Sequence, residues 1–356
     1  MLAWFMIDPM FTRQNSTLTP QHIKNDKEQL SNHFVREILI NEIYPNRDVV
    51  YNESATIPAL NLSYYPDERG PYNVIAKEKG GGANRIDDNG KFIDTKSKWG
   101  GITRRMDVTD FEASNIEYIE FWLMDPLIYD KTITGDLYFN LGEISEDVLK
   151  DGRKFYENGL PLNDDPSAVE YTAWGKVPTR QSTVYAFDDN QGAAGRRKQD
   201  VGLNGLSSEE EKEYHSYRDY LTDLQNILSP ATKERYQNDP QSPFNDPAGD
   251  TYHYFRGSDY DRDEVSILDR YKYYNGTEGN SPATSETSES YSSASRNVPD
   301  VEDINQDNTL NENEGYFEYK ISLTRDSLEV GKNNIVDSRT VEVSLRNGNK
   351  EDVTWY

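Results

Sequence analysis

The residues best spaced for chemistry run from Asp303 to Glu314. Asp303, Asn305, Asp307, Thr309 and Glu314 fall at positions 1, 3, 5, 7 and 12 of the calcium-loop pattern D-x-[DN]-x-[DN]-G-x5-E. Ca2+ is a hard cation that takes about six to eight oxygens. Side chains at the first three of these positions supply three of them, the Thr309 carbonyl a fourth, and a bidentate Glu314 two more, while Asn311 can hold a water. Leu310 is apolar, as a packed loop requires. The one departure is Asn308, which stands where the pattern has glycine. Asparagine is the next residue to tolerate the left-handed conformation, so the turn stays accessible. A plainer reading is an acidic turn in a chain rich in Asp and Asn. The order of the residues, and not only their abundance, favours Ca2+ as the bound ion.

Other chemistry is poorly represented. The four histidines, His22, His33, His215 and His253, are scattered, and none lies in H-E-x-x-H. No G-x-S-x-G or Walker pattern occurs. Gly80-Gly81-Gly82 lacks a following Lys-Ser/Thr, so it reads as a turn and not as a phosphate cradle. With no cysteine, disulfides, thiolate metal sites and cysteine nucleophiles are excluded. Glycosidase carboxylates cannot be singled out among 63 acidic residues. The expectation is a chain with no catalytic residue and no organic cofactor. Two aromatic clusters, Tyr252-His253-Tyr254-Phe255 and Tyr271-Lys272-Tyr273-Tyr274, could stack on sugars or on a partner, but packing of loops onto the fold is the favoured use.

Charge narrows the partners. Lys and Arg number 38 against 63 Asp and Glu, a net charge of -25. Such a surface repels nucleic acid, whose binding depends on Lys and Arg displacing counterions. It repels anionic lipid as well, while favouring solubility and divalent cations. Only 35% of residues are hydrophobic and the mean hydropathy is -0.90, so a compact part with long polar loops is expected. No stretch reaches the ~18 apolar residues of a membrane helix. Met1–Ile7 is apolar but has no basic lead-in or cleavage site, unlike a signal peptide. Both ends read as cut, the first inside a domain and the last, Val353–Tyr356, inside a strand.

These residues need elements to hold them, and the patterning gives four regions. Residues 1–55 read as an extended segment and a helix, with Thr19 as its cap and Pro20 at its first position. Ile23, Leu30, Phe34, Val35, Ile38 and Leu39 follow at helical spacing, and the helix should stop before Pro45. Residues 56–150 read as β-rich, with a tight turn at Asn89-Gly90. The strongest strand is expected at Ile116–Met124, and the next at Asp136–Leu141, where Leu137, Phe139 and Leu141 alternate with polar or amphipathic neighbours. Ser145-Glu146-Asp147 should open a short helix through Leu149.

Residues 151–300 read as a loop-rich insertion with a helix near 208–228. Ser207-Ser208 precede Glu209-Glu210-Glu211 in a capping-box pattern, Tyr214, Tyr217, Leu221, Leu224 and Ile227 share one face, and Pro230 should end it. A Ser-rich tract at 281–295 is expected to be mobile. Residues 301–356 combine the calcium loop with alternating strands at Phe317–Leu323 and Val341–Leu345, and a hairpin turning at Asn347-Gly348. The fold class expected is mainly β with some α. It is an antiparallel, jelly-roll-like β-sandwich, its halves at 56–150 and 301–356, carrying the 151–300 insertion.

Several stretches in order resemble one family. They include Leu2–Pro9, Tyr64–Asn73 (YYPDERGPYN), Trp99–Arg104, Thr109–Pro126 (TDFEASNIEYIEFWLMDP), Gly135–Asp147 (GDLYFNLGEISED), Gly202–Leu206 and Pro299–Glu314. The chain is similar to the gliding-motility cell-surface family SprA/Sov, the outer-membrane translocons of type IX secretion in Gram-negative bacteria. The resemblance implies a non-enzymatic soluble domain of a far longer chain, outer-membrane associated in the cell envelope. Its partners would be the rest of the translocon chain, secretion-system subunits or cargo proteins. No run of ~10-residue alternating segments with aromatic girdles is visible, so direct membrane insertion by this fragment is not expected. The alternative is a calcium-stabilised carbohydrate-binding jelly-roll module, and a glycosidase comes third.

Overall fold

The computed structural model describes residues 1–13, 15–47, 55–108, 110–157, 159–180, 186–188, 190–283 and 298–356. Its strands pair antiparallel, two at a time. β1 (Leu2–Phe5) pairs with β4 (Asn61–Tyr64), and β2 (Ile38–Leu39) with β3 (Thr56–Ile57). β5 (Gly135–Glu143) pairs along its whole length with β8 (Gly315–Leu323). β6 (Val169–Tyr171) pairs with β7 (Lys176–Pro178), and β9 (Arg339–Ser344) with β10 (Lys350–Trp355). Antiparallel pairing between the two β-rich blocks is therefore present. A jelly-roll sandwich is not shown, because the described strands form only two-stranded sheets. Among the described residues helix, at about 20%, slightly exceeds strand at 18%, so they are mixed and not mainly β.

Alternation placed the long strands correctly. In β5, Leu137, Phe139 and Leu141 are half-buried between exposed neighbours. The β9–β10 hairpin turns at Asn347-Gly348, with Gly348 at φ +93°. It buries Val343, Val353 and Trp355 against Ile38 and Ile43. Ile116–Met124 is different. Only Met124 bridges, to Trp355, while Leu123 exchanges backbone bonds with Tyr356 and the Asp125 N–H donates to the Thr354 carbonyl. Large side chains on both faces need cover on both, and Tyr118, Ile119 and Phe121 have little, at 76%, 54% and 45% exposed.

The expected first helix is broken. Asp26 ends the turn Gln21–Asn25, and its carboxylate accepts from the Gln29 N–H at 2.9 Å to start Lys27–Ser31. Thr19 does not cap it, since its hydroxyl donates to the Met10 carbonyl and Pro20 stands at the cap. Ile38 and Leu39 become strand. No helix forms at Ser145–Leu149 either. The capping box of Ser207 and Glu210 is present, but its helix stops at Glu213. A second helix, His215–Ile227, buries Tyr217, Tyr220 and Leu224. Pro230, capped by Ser229, opens a third helix instead of only ending the previous one.

Packing is spread over small clusters. Ala3, Phe5, Phe11, Ile23 and Val35 pack against Phe255, Ile267 and Tyr271, with Phe5 stacked on Tyr271 at 4.4 Å between ring centres. The aromatic clusters thus hold loops down, and they do so on the N-terminal segment. The Ser-rich tract from 284 onward lies outside the described residues.

Candidate functional site

The segment Asp303–Glu314 folds around its own side chains. Asp303, 3% exposed, accepts from the N–H groups of Asp307 (3.1 Å) and Asn308 (2.8 Å). Asn305 Oδ1 accepts from the Asp307 N–H and Asp307 Oδ1 from the Thr309 N–H, both at 2.8 Å. Short polar side chains bonding the backbone two residues on make such tight turns. Asn308 sits at φ +69°, the left-handed conformation that glycine takes at that place in the pattern. Asn305 and Asn311 both donate side-chain amides to Asp307 Oδ2, at 3.2 and 3.3 Å. These bonds hold the Asp307 carboxyl below the usual carboxylate range, the Thr309 N–H contributing most. Asp303, Asn305, Asp307 and Thr309 are therefore brought together, whereas Glu314 is exposed just before β8.

A residue the sequence did not mark completes the arrangement. Glu146 is 5% exposed. Its Oε1 accepts from the Asn305 N–H at 3.1 Å, and its Oε2 from the backbone and side-chain N–H of Asn311 at 3.2 Å. Its own N–H donates to the Asn311 carbonyl at 2.7 Å. Beside it, buried Glu302 accepts from the N–H groups of Val148 (2.9 Å) and Phe155 (3.0 Å), and burial pushes its carboxyl up to about 7. Segment 301–311 is thus strapped to segment 146–155. Only the acidic motif at 145–147 hinted at this, and it reads as easily as a helix start.

The strap lies at one end of the β5–β8 ribbon, where Glu143 pairs with Gly315. At the other end Leu323 packs against the cluster of Leu127, Leu328 and Ile335. Between these anchors the pairs Leu137–Ile321, Phe139–Tyr319 and Leu141–Phe317 share one face. That face is apolar and open, with Phe317 76% and Tyr319 49% exposed. Phe121 reaches it, 4.9 Å from the Phe139 ring. The opposite face is polar, with Lys320 paired to Asp136 at 3.0 Å.

Among the described residues, three further carboxylates could hold a metal ion together: Glu211, Asp250 and Glu278. The histidines stay dispersed: His33 bonds Glu351 at 3.1 Å and His253 bonds Asp259 at 2.9 Å, each in a different part of the fold. Among the described residues, no helix is long and apolar enough to cross a membrane.

Residues 219–356 match the family model SprA_N, described as motility related/secretion protein. The matched span includes the 303–314 segment and β8 to β10. It supports a fragment of a SprA-like motility and secretion protein, and a secretion and motility family points to the cell envelope. No curated protein matches the chain.

Proposed function

We propose that this chain, SprA-like over residues 219–356, is a non-enzymatic domain of an outer-membrane secretion and gliding translocon that binds protein through the β5–β8 ribbon. The observation that carries this reading is the open apolar face around Phe317 and Tyr319. A two-stranded ribbon is marginally stable in water unless a third strand or another layer covers it. Apart from Ser322, whose N–H and carbonyl are taken by Asn333, its outer edges have no strand beside them among the described residues and offer backbone groups to an added one, and the alternating rings offer side-chain pockets. The occupant is an extended segment of the translocon or of its cargo. Its apolar side chains would alternate to match the ribbon.

The 303–314 segment serves this surface in our reading. Asp303, Asn305, Asp307, the Thr309 carbonyl and Glu314 bind one Ca2+ and so fix where β8 begins. Glu314 would turn inward when the ion binds. The carbohydrate-binding alternative gains nothing from the tyrosine clusters, whose rings are taken up by Phe5, Phe11 and one another.

The test is Phe317→Asp in the full-length protein. Secretion-system partners or cargo should stop co-purifying while the melting temperature stays within about a degree, because an exposed ring contributes little to folding. Undiminished co-purification would remove the ribbon as the contact surface.

A further inference from the structure

We propose that Glu211, Asp250 and Glu278 form a second, buried site for one hard divalent cation of the calcium type. They come from three separate segments. Glu211 lies in the capped helix Ser208–Glu213, and Asp250 follows the turn at Asp246. Glu278 is fixed by bridges to Val201 and Thr251. One oxygen of each lies within 4.8 Å of the others. A Ca2+ shell, with oxygens at about 2.3–2.6 Å from the ion, spans roughly 5 Å, so one ion can reach all three. All donors are oxygens, with no sulfur or imidazole to favour zinc or copper.

The surroundings hold these carboxylates without neutralising them. Glu211 accepts from Asn204 Nδ2 and from the Ala248 N–H at 2.9 Å. Glu278 accepts from the Ser208 N–H at 2.9 Å and from the Ser208 hydroxyl. Asp250 Oδ2 accepts from the Tyr72 hydroxyl at 2.8 Å and from Thr277. Every one of these donors is neutral, the usual outer layer that orients metal-binding carboxylates. Asp246 lies close behind and adds a fourth negative charge, its oxygens held by the N–H groups of Gly249, Asp250 and Thr251.

One atom is left over. Asp250 is 1% exposed and its Oδ1 has no hydrogen-bond partner among the described residues, although Glu211 and Glu278 stand next to it. A buried acceptor without a donor is costly, and a buried carboxylate beside two others more so. A divalent cation supplies what is missing on both counts. The competing account keeps these acids protonated, and it makes opposite predictions.

The experiment uses the full chain, stripped of metal by a chelator and titrated with Ca2+ by calorimetry. Tb3+ in place of Ca2+ gives a second readout, since light absorbed by Tyr72, bonded to Asp250, sensitises its emission. We expect one ion to bind even in Asp303→Asn/Glu314→Gln, which separates this site from the 303–314 loop. Asp250→Asn should weaken that ion by about a hundredfold or more, because loss of a mere outer-layer partner already costs about 10–100-fold. Binding unchanged in Asp250→Asn would overturn the proposal, and so would the absence of any ion in the Asp303→Asn/Glu314→Gln protein. If the acids are simply protonated, Asp250→Asn melts at the same or a higher temperature and chelation does nothing to the Asp303→Asn/Glu314→Gln protein. Should Asp250→Asn fail to fold, the sensitised Tb3+ emission of the Asp303→Asn/Glu314→Gln protein decides: emission supports the site and its absence rejects it.

Discussion

Glu146 grips Asn311 by both its backbone and its side-chain amide, across 165 residues of sequence. The bond joins the segment after β5 to the segment before β8, so it closes one end of the ribbon those strands form. Replacing Glu146 by Ala leaves the N–H groups of Asn305 and Asn311 without their acceptor. Hydrogen bonds to a charged group are worth about 1.5–3 kcal/mol each, so a loss of at least ~2 kcal/mol is expected in urea unfolding. Glu146→Gln keeps one acceptor and should lose less. Equal stability of all three proteins would show that the strap carries no load.

The loop itself responds to Ca2+ on our proposal. Binding to the folded form alone stabilises by RT ln(1 + [L]/Kd), about 2.7 kcal/mol at a hundredfold excess over Kd. Chelation should lower the melting temperature, and Glu314→Gln should weaken this one site. Asn308→Gly should bind as well or better, because glycine adopts the φ of +69° found there without strain. Calorimetric titration of Asp250→Asn, in which the other proposed site is disabled, isolates the loop. No heat at millimolar Ca2+ in that protein would rule the loop out.

The ribbon's register rests partly on Gly142, at φ +149°. A Cβ there would press on the Gly315 carbonyl and come within 2.8 Å of Tyr316 Cα, backbone that cannot swing aside. Gly142→Ala should therefore open the β5–β8 pairing near the strap, at a cost of about 1–3 kcal/mol. Amide hydrogen exchange would show it as lost protection in 139–143 and 315–319, with the β9–β10 hairpin unaffected. Unchanged protection would mean that the strands adjust around the methyl group.

A pH effect should arise at Asp200. Burial, and after it the Asp300 charge, pushes its carboxyl up to about 6 from 3.8, against the Ser281 N–H, a hydrogen bond with Glu157 and the Arg196 charge. Glu157 is raised as well, by burial first and then by the Asp300 and Asp200 charges. A group with a raised folded-state pKa keeps its proton after the unfolded chain has released it. Stability therefore falls as pH rises from about 3.8 to about 6, on the Asp200 values. Asp200→Asn should flatten that decline and melt higher than the parent at neutral pH. Parallel melting curves for both proteins across this range would show that Asp200 does not titrate this way.

Local chemistry was legible in the sequence at three places where neighbours a few residues apart settle the outcome. The Ser207–Glu210 capping box, the Asn347-Gly348 turn and the left-handed Asn308 depend on backbone groups within one turn of the chain. The alternation of Leu137, Phe139 and Leu141 named a strand because it names a half-buried face. Residues 116–122 carried an equally strong pattern and formed no strand, since a strand needs a partner and burial that the pattern cannot supply. Asp26 broke the first helix by capping a new one, a competition between two local hydrogen bonds that apolar spacing does not register. The functional assignments divide in the same way. The order of residues in 303–314 matches the calcium-loop pattern by itself, but only the fold brings Glu146 to it. Glu211, Asp250 and Glu278 carry no mutual spacing at all. They meet because the Ser208 helix, the Asp246 turn and the bridge at Val201 and Thr251 converge, and convergence of distant segments is a property of packing and not of sequence order.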